Sequence, residues 1–354
     1  MLISIFASVW AKNLWDELIL KNEIELLRLE YLDKKPKFIV FSYDHKNPFY
    51  EKDYIEYKPY FPDDIKNKKK ILTNLNNFLI FLISTIKSDL IVIWWGGLFF
   101  DNEVWSKKNP LNLWIFRKLV FSFLLKKIYF FRVGISLSKP VSKDKKDTEN
   151  ISYNKNLKKI KKIFKKSFYV SVRDNNSFEL LKEIWIDSEI KNDPVFFDKW
   201  IEVASKSFVG QVKAKNFDVT KVKDFDFSWQ KVWIAFRSWY LVEKSNMSDR
   251  MEEWKLREII NYITTNGWKI VLLPHSFTKT DNLSNDHIFL SKFVWDKVKI
   301  KNSMQEVYKT YKNKQIDICF SMRLHSVILS HVYEIPFVWV SYSKKTDEVL
   351  ESLN

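Results

Sequence analysis

The sequence predicts an α/β protein of two tandem Rossmann-like domains that face each other across a cleft. Three observations predict it. Short apolar runs alternate with amphipathic helical patterns from end to end, the mark of helices layered on parallel sheets. The chain's 354 residues exceed the usual span of one domain, and its 46% apolar content is ample for two cores. A polar stretch, 204–228, reads as a linker between an N-terminal domain, 1–203, and a C-terminal domain, 229–354.

In chain order, Leu2 to Ala7 reads as a first buried strand, because it has no basic leader before it and is too short for a signal peptide. Asp16 to Tyr31 follows as a helix whose first turn carries Asp16 and Glu17, where carboxylates suit the positive end of the dipole. Lys37 to Ser42 is a second apolar strand. The amphipathic stretch from Lys70 to Lys87 is a second helix, and Leu90 to Ile93 is a buried strand running into a tight loop. A helix over Leu113 to Lys126, strands over Ile128 to Ile135 and Phe168 to Val172, and a short strand near Ile190 complete the first half. The second half offers strands at Val232 to Phe236, Lys269 to Leu273, Val298 to Ile300, Ile316 to Phe320 and Phe337 to Val340, with helices between. No repeat of solenoid period is present.

Composition narrows the function classes. A single cysteine, Cys319, excludes an internal disulfide framework and a multi-cysteine metal site, and its apolar neighbours make it a buried strand thiol. No spacing matches a zinc or EF-hand site, so no metal is expected. Apolar stretches are interrupted by charge before the roughly 18 residues a membrane span needs. A cytoplasmic protein is expected, with peripheral contact at the inner face of the membrane left open. The net charge of +16 is mostly lysine spread along the chain, and no nucleic-acid module accompanies it, so no nucleic-acid partner is expected. The densest basic cluster, Lys155 to Lys166, places Leu157, Ile160, Ile163 and Phe164 at helical spacing; it fits either a solvated surface helix or one lying on a membrane.

Fifteen tryptophans against five glycines invert the usual ratio, since about 7% glycine is ordinary. The tryptophans stand where backbone geometry asks for glycine: Trp94 and Trp95 open a tight loop after a strand, Trp15 precedes a helix start, and Trp185 sits at a helix exit. This predicts that most of them are UGA codons read as glycine in the source lineage. Read so, residues 94–97 form a four-glycine turn in which Gly96 and Gly97 can approach a phosphate or sugar; read as printed, two indoles fill that space.

Ligands of open α/β sheets bind beyond the carboxyl ends of the strands, so residues just after strands come first. Arg173, Arg237 and His275 hold such positions, and Met322-Arg323-Leu324-His325 follows a strand and opens a helix. A helix start favours anions, a guanidinium grips carboxylate or phosphate in bidentate fashion, and an imidazole transfers protons near neutral pH. Each has a plainer alternative. Arg323 can cap strand ends, His325 can pack at a domain edge, Arg173 can pair with Asp174, and His275 can bond a neighbouring carbonyl.

Together these segments resemble the polysaccharide pyruvyl transferase family. The likeness runs from Asn13-Leu14-Trp15-Asp16-Glu17, an N-x-G-D-E element if Trp15 is glycine, through the 94–101 loop and the R-D-x-x-S element from Arg173 to Ser177. It continues through Asp193-Pro194, Leu273-Pro274-His275 and Met322-Arg323-Leu324-His325. The resemblance implies a fold like that of GT-B glycosyltransferases and a ketal-forming transfer of pyruvate from phosphoenolpyruvate, a co-substrate rather than a cofactor. The acceptor is a sugar of a cell-wall polysaccharide or exopolysaccharide, lipid-linked or free. It implies donor contacts by Arg173, Arg323 and His325; because an imidazole can deliver a proton near neutral pH, His325 is expected as the general acid, with Asp16 or Glu17 taking a hydroxyl proton. Asn13, Ser177, Arg237, His275, Gly96 and Gly97 complete the expected substrate-binding set. Some members carry a histidine after the fourth strand, where this chain has Ser136-Leu137-Ser138, so that loop is expected to have no catalytic role. The competing enzyme class is a GT-B-type glycosyltransferase using a nucleotide sugar.

Overall fold

The computed structural model describes residues 1–7, 13–42, 45–46, 48–61, 71–94, 99–100, 110–137, 146–191, 194–197, 208–213, 219–223, 231–237, 253–277 and 285–341. The chain forms two compact units. The first comprises Met1–Trp10 and Ile19–Pro194, the second Ala11–Leu18 and Val195–Asn354. The short segment Ala11–Leu18 therefore belongs with the C-terminal half of the chain.

In chain order the first half carries β1 (Leu2–Ala7), α1 (Leu14–Glu30), β2 (Lys37–Ser42), β3 (Ile55–Pro59), α2 (Ile71–Lys87), β4 (Leu90–Trp94), β5 (Phe99–Phe100), α3 (Pro110–Phe123), β6 (Lys127–Val133), β7 (Ile135–Ser136), α4 (Lys146–Phe164), β8 (Tyr169–Val172), α5 (Asn175–Glu183) and β9 (Glu189–Ile190). Among the described residues, β3-β2-β1-β4-β6-β8-β9 form one parallel sheet, and β5 pairs separately with β7. β1 and β4 are buried almost throughout, as expected of parallel strands covered on both faces. A run of aromatic rings links sheet to helices: Phe6 stacks on Phe41 at 4.3 Å between centroids, and Phe81 of α2 meets Phe121 of α3 at 5.8 Å.

The second half carries β10 (Phe208–Lys213), α6 (Val219–Lys223), β11 (Lys231–Ala235), α7 (Glu253–Thr265), β12 (Lys269–Leu272), α8 (Asp286–Ser291), β13 (Val298–Ile300), α9 (Met304–Lys312), β14 (Ile318–Ser321), α10 (Leu324–Val332) and β15 (Phe337–Ser341). Its described strands form a parallel sheet in the order β10-β15-β14-β11-β12-β13. The fold class is thus α/β with two Rossmann-like parallel sheets. The chain winds outward from β11 through β12 to β13, then returns to β14 on the other side of β11. Residues after β11 and β14 therefore flank the point where strand order reverses, the usual ligand crevice of such sheets.

Two strands lie where the sequence pattern is weak. β10 falls inside the polar stretch expected as a linker, and β3 alternates polar and apolar residues at a sheet edge. Trp185 follows the last turn of α5 with φ of 61° and its side chain 88% exposed. That left-handed position is the one glycine normally fills at a helix exit.

Candidate functional site

In the second unit, the segment ahead of α1, the strand ends and the start of α10 come together. Asn13 forms an antiparallel bridge with Ser276, and the amide of Leu14 donates to the His275 carbonyl at 3.0 Å. The Asn13 side-chain oxygen accepts from the Trp15 amide at 3.2 Å. Trp15 is buried, and its indole lies flat on the His325 ring, 4.0 Å between centroids and 10° from parallel. Asp16 and Glu17, in the first turn of α1, are both buried.

Arg323 is the N-cap residue of α10 without a side-chain cap bond, which leaves its guanidinium to reach elsewhere. Its backbone is pinned beside β11, where the Met322 and Arg323 amides both approach the Ala235 carbonyl, at 3.0 and 3.4 Å. Its guanidinium meets Asp286 in bidentate fashion, Nε to Oδ2 at 2.8 Å and Nη2 to Oδ1. Asp286 is fully buried and also accepts from the amides of His275 and Ser276, each at 3.2 Å. One carboxylate therefore fixes the plane of Arg323 and the turn after β12. Asp286 was not among the sequence candidates; its only local signal is the Asn285-Asp286 helix start, where Asn285 caps α8 by accepting from the Ile288 amide.

His275 is buried, with both ring nitrogens engaged: Nδ1 lies 3.0 Å from the Leu273 carbonyl and Nε2 3.2 Å from the Tyr311 hydroxyl. Because a carbonyl can only accept, Nδ1 carries the proton and Tyr311 donates to Nε2. Ser326 then donates to the Tyr311 oxygen at 2.6 Å, and the Cys319 thiol to Ser326 at 3.4 Å. The chain of donors runs in one direction and ends on a carbonyl. Burial, helped by the nearby Arg323 charge, pulls the His275 imidazole down to about 3, so it is neutral at physiological pH. Burial pushes the Cys319 thiol up to about 11, in keeping with an unreactive strand cysteine. His331, further along α10, is buried, and that burial lowers its pKa. Arg237 follows β11 and is half-buried.

The first unit holds a separate arrangement around Arg173. β6 ends in a bulge at Arg132, φ 48°, where the chain shifts register against β8. The bulge is held by the buried ion pair of Arg132 Nη1 with Glu23 Oε2 at 2.7 Å. Two residues on, Gly134 lies under the Arg173 guanidinium; a Cβ there would fall 2.7 Å from Nε. Arg173 Nε also pairs with Asp174 Oδ2 at 3.4 Å. Asp174 caps α5 by accepting from the Ser177 amide at 2.7 Å. The buried Ser177 hydroxyl oxygen accepts from the Ile135 amide at 2.9 Å, tying α5 to β7. Gly96, Gly97 and Asp193 lie outside the described residues. Among the described residues, no group of three or more His, Cys, Asp or Glu side chains is arranged to hold a metal ion, and no helix is long and apolar enough to cross a membrane.

The family model for polysaccharide pyruvyl transferases matches residues 16–344. The chain belongs to the polysaccharide pyruvyl transferase family. The match takes in Asp16, Glu17, Arg173, His275, Arg323 and His325. No curated protein sequence matches the chain. Solved structures similar to it include UDP-GlcNAc 2-epimerase from Methanocaldococcus jannaschii, at 13% identity and a TM-score of 0.49 over 99% of this chain and 87% of that one. UDP-GlcNAc 2-epimerase from Neisseria meningitidis is similar at 10% identity and a TM-score of 0.45, over 99% of this chain and 90% of that one. Sucrose-phosphate synthase from Thermosynechococcus elongatus is similar at 11% identity and a TM-score of 0.44, over 96% of this chain and 82% of that one.

Proposed function

We propose that this family member transfers pyruvate from phosphoenolpyruvate, as a ketal, to a sugar of a cell-wall polysaccharide or exopolysaccharide, lipid-linked or free. The observation that carries the reading is the start of α10, where His325 stands two residues from an arginine whose orientation is fixed by a buried carboxylate. A bidentate guanidinium suits the carboxylate or phosphate of the donor, and the helix start adds its own preference for anions. His325 delivers a proton to the methylene carbon, which becomes the methyl group and leaves C2 cationic. Two sugar hydroxyls then add to C2 in turn while the C2–O bond to phosphate breaks. Of the two hydroxyl protons released, one restores His325 and the other leaves with phosphate; Asp16 or Glu17 relays a proton from the acceptor. His275, buried and neutral, positions the strand end through Leu273 and Tyr311. Arg173 is the anion-binding arginine of the first unit.

Phosphoenolpyruvate, but not UDP or GDP sugars, is expected to raise the unfolding temperature, and phosphate release should require an acceptor glycan. His325→Ala should abolish phosphate release while phosphoenolpyruvate still protects; retained turnover would remove His325 from the mechanism.

We infer further that Trp15, Trp94, Trp95 and Trp185 are glycines in the native protein, decoded from UGA. The left-handed backbone at Trp185 and the indole covering His325 support this reading, whereas Trp15, inside α1, and Trp94, ending β4, do not have the left-handed backbone that would favour glycine. With glycine at position 15, the His325 ring face opens toward a donor. Mass spectrometry of native peptides across residues 94 and 95 should give glycine masses; tryptophan masses would end the idea.

A further inference from the structure

The helices α2, α3 and α4 connect β3 to β4, β4 to β6 and β6 to β8, stepping the same way along the first sheet. Right-handed crossovers place all three on one face, and direct contacts agree. Phe81 of α2 meets Phe121 of α3, and Lys118 of α3 reaches Ser167 just beyond α4 at 3.4 Å.

α2 is apolar on two opposite sides. Phe81 and Thr85 are buried toward the sheet, yet Leu72, Leu75, Leu79, Ile83 and Ile86 are all exposed, from 47% to 81%. At 100° per residue these five fall within an arc of about 80° on the outward side. α3 repeats the pattern with Phe116, Leu119 and Phe123, the last 86% exposed. Scattered exposed leucines need no explanation, but two adjacent helices with continuous outward apolar stripes do. A helix that is apolar all round normally lies within a core or a lipid phase.

Charge selects the occupant. No carboxylate occurs in 65–88 or 104–143, the segments that contain α2 and α3 with their flanks, nor in 150–173, which holds α4 beyond the Asp147 and Glu149 of its first turn. α4 buries Leu157, Ile160 and Ile163, and turns Lys155, Lys158, Lys161 and Lys162 outward, with Lys165 and Lys166 beyond its end. An apolar stripe bordered by lysines and free of acid complements an anionic lipid surface. A second copy docked on the same face would bring two lysine helices toward each other.

We propose that the α2–α3–α4 face is a peripheral docking surface for anionic membrane, with the leucine and phenylalanine side chains entering the headgroup boundary and the α4 lysines meeting lipid phosphates. This surface stands apart from the pyruvyl-transfer reading, and its test needs no turnover. The full chain is mixed with phosphatidylglycerol vesicles or with phosphatidylcholine vesicles at low salt and sedimented. Binding to the first only is expected, falling as salt rises. Leu75→Glu with Leu79→Glu, or Leu119→Glu with Phe123→Glu, should each weaken binding about tenfold or more, while the far-UV circular dichroism spectrum and unfolding temperature stay near those of the parent. Charge reversal at Lys158, Lys161 and Lys162 should do the same. The proposal is overturned by failure to bind phosphatidylglycerol vesicles, or by binding that the α2 and α3 substitutions leave unchanged. It is equally overturned if those substitutions abolish a dimer seen by analytical ultracentrifugation while the parent ignores vesicles.

Discussion

Removing Asp286 tests the central electrostatic feature of the second unit. Its carboxylate is fully buried and accepts from the Nε and Nη2 of Arg323 and from two backbone amides, while the Arg323 side chain is only 15% exposed. Asp286→Ala strands a nearly buried guanidinium and orphans two amides. Breaking a buried pair from one side costs about 3–5 kcal/mol. For a unit of this size each kcal/mol shifts the unfolding midpoint by roughly 2–4 °C, so a fall of roughly 6–20 °C is expected by calorimetry. Arg323→Ala is expected to cost a similar amount, and the double variant little more than either alone, because the second substitution removes the charge that the first left uncompensated. Denaturant titration of all four proteins gives the coupling directly. A loss below about 1 kcal/mol for Asp286→Ala, or single losses that simply add, would refute the claim that this carboxylate holds Arg323.

Two further outcomes are expected. His275 titrates at about 3 in the fold, against 6.5 for the free side chain, because it is buried beside Arg323. Below pH 6.5 the unfolded chain therefore takes up a proton that the folded one refuses. Stability from this residue is whole above pH 6.5 and is lost as pH falls toward 3, by about 1.4 kcal/mol per unit. In His275→Gln, urea midpoints between pH 7 and pH 4.5 should decline less steeply, by one proton's slope; an identical slope would count against the neutral buried imidazole. Gly134→Ala places a methyl against the mobile end of Arg173, so the guanidinium must swing away at little cost to the fold. The unfolding temperature should stay within a few degrees and, under the proposed pyruvyl-transfer function, the KM for phosphoenolpyruvate should rise while kcat changes less. A variant with parental KM would separate Gly134 from Arg173 placement.

The sheets were legible because parallel strands buried on both faces are written as short unbroken apolar runs, and Leu2–Ala7 and Lys37–Ser42 fall where the pattern puts them. β3 and β10 were not, since edge strands carry polar residues that read as loop. Strand-end logic picked out Arg173, Arg237, His275, Arg323 and His325 alike, but it could not show that His275 spends both ring nitrogens within the core. Asp174 as the α5 cap was a local choice among four consecutive polar residues, Asp174 to Ser177, settled by backbone geometry.

By itself the sequence determined the layer pattern and the family likeness, because these depend on residue type and spacing along one segment. Only the tertiary structure decided that Asp286 belongs to Arg323, that Trp15 lies on His325, and that α2 and α3 turn apolar stripes outward. Those facts depend on which distant segments meet and which side of a helix the sheet covers. Hydrophobic periodicity within a helix cannot tell a face that is buried from one left waiting for a partner.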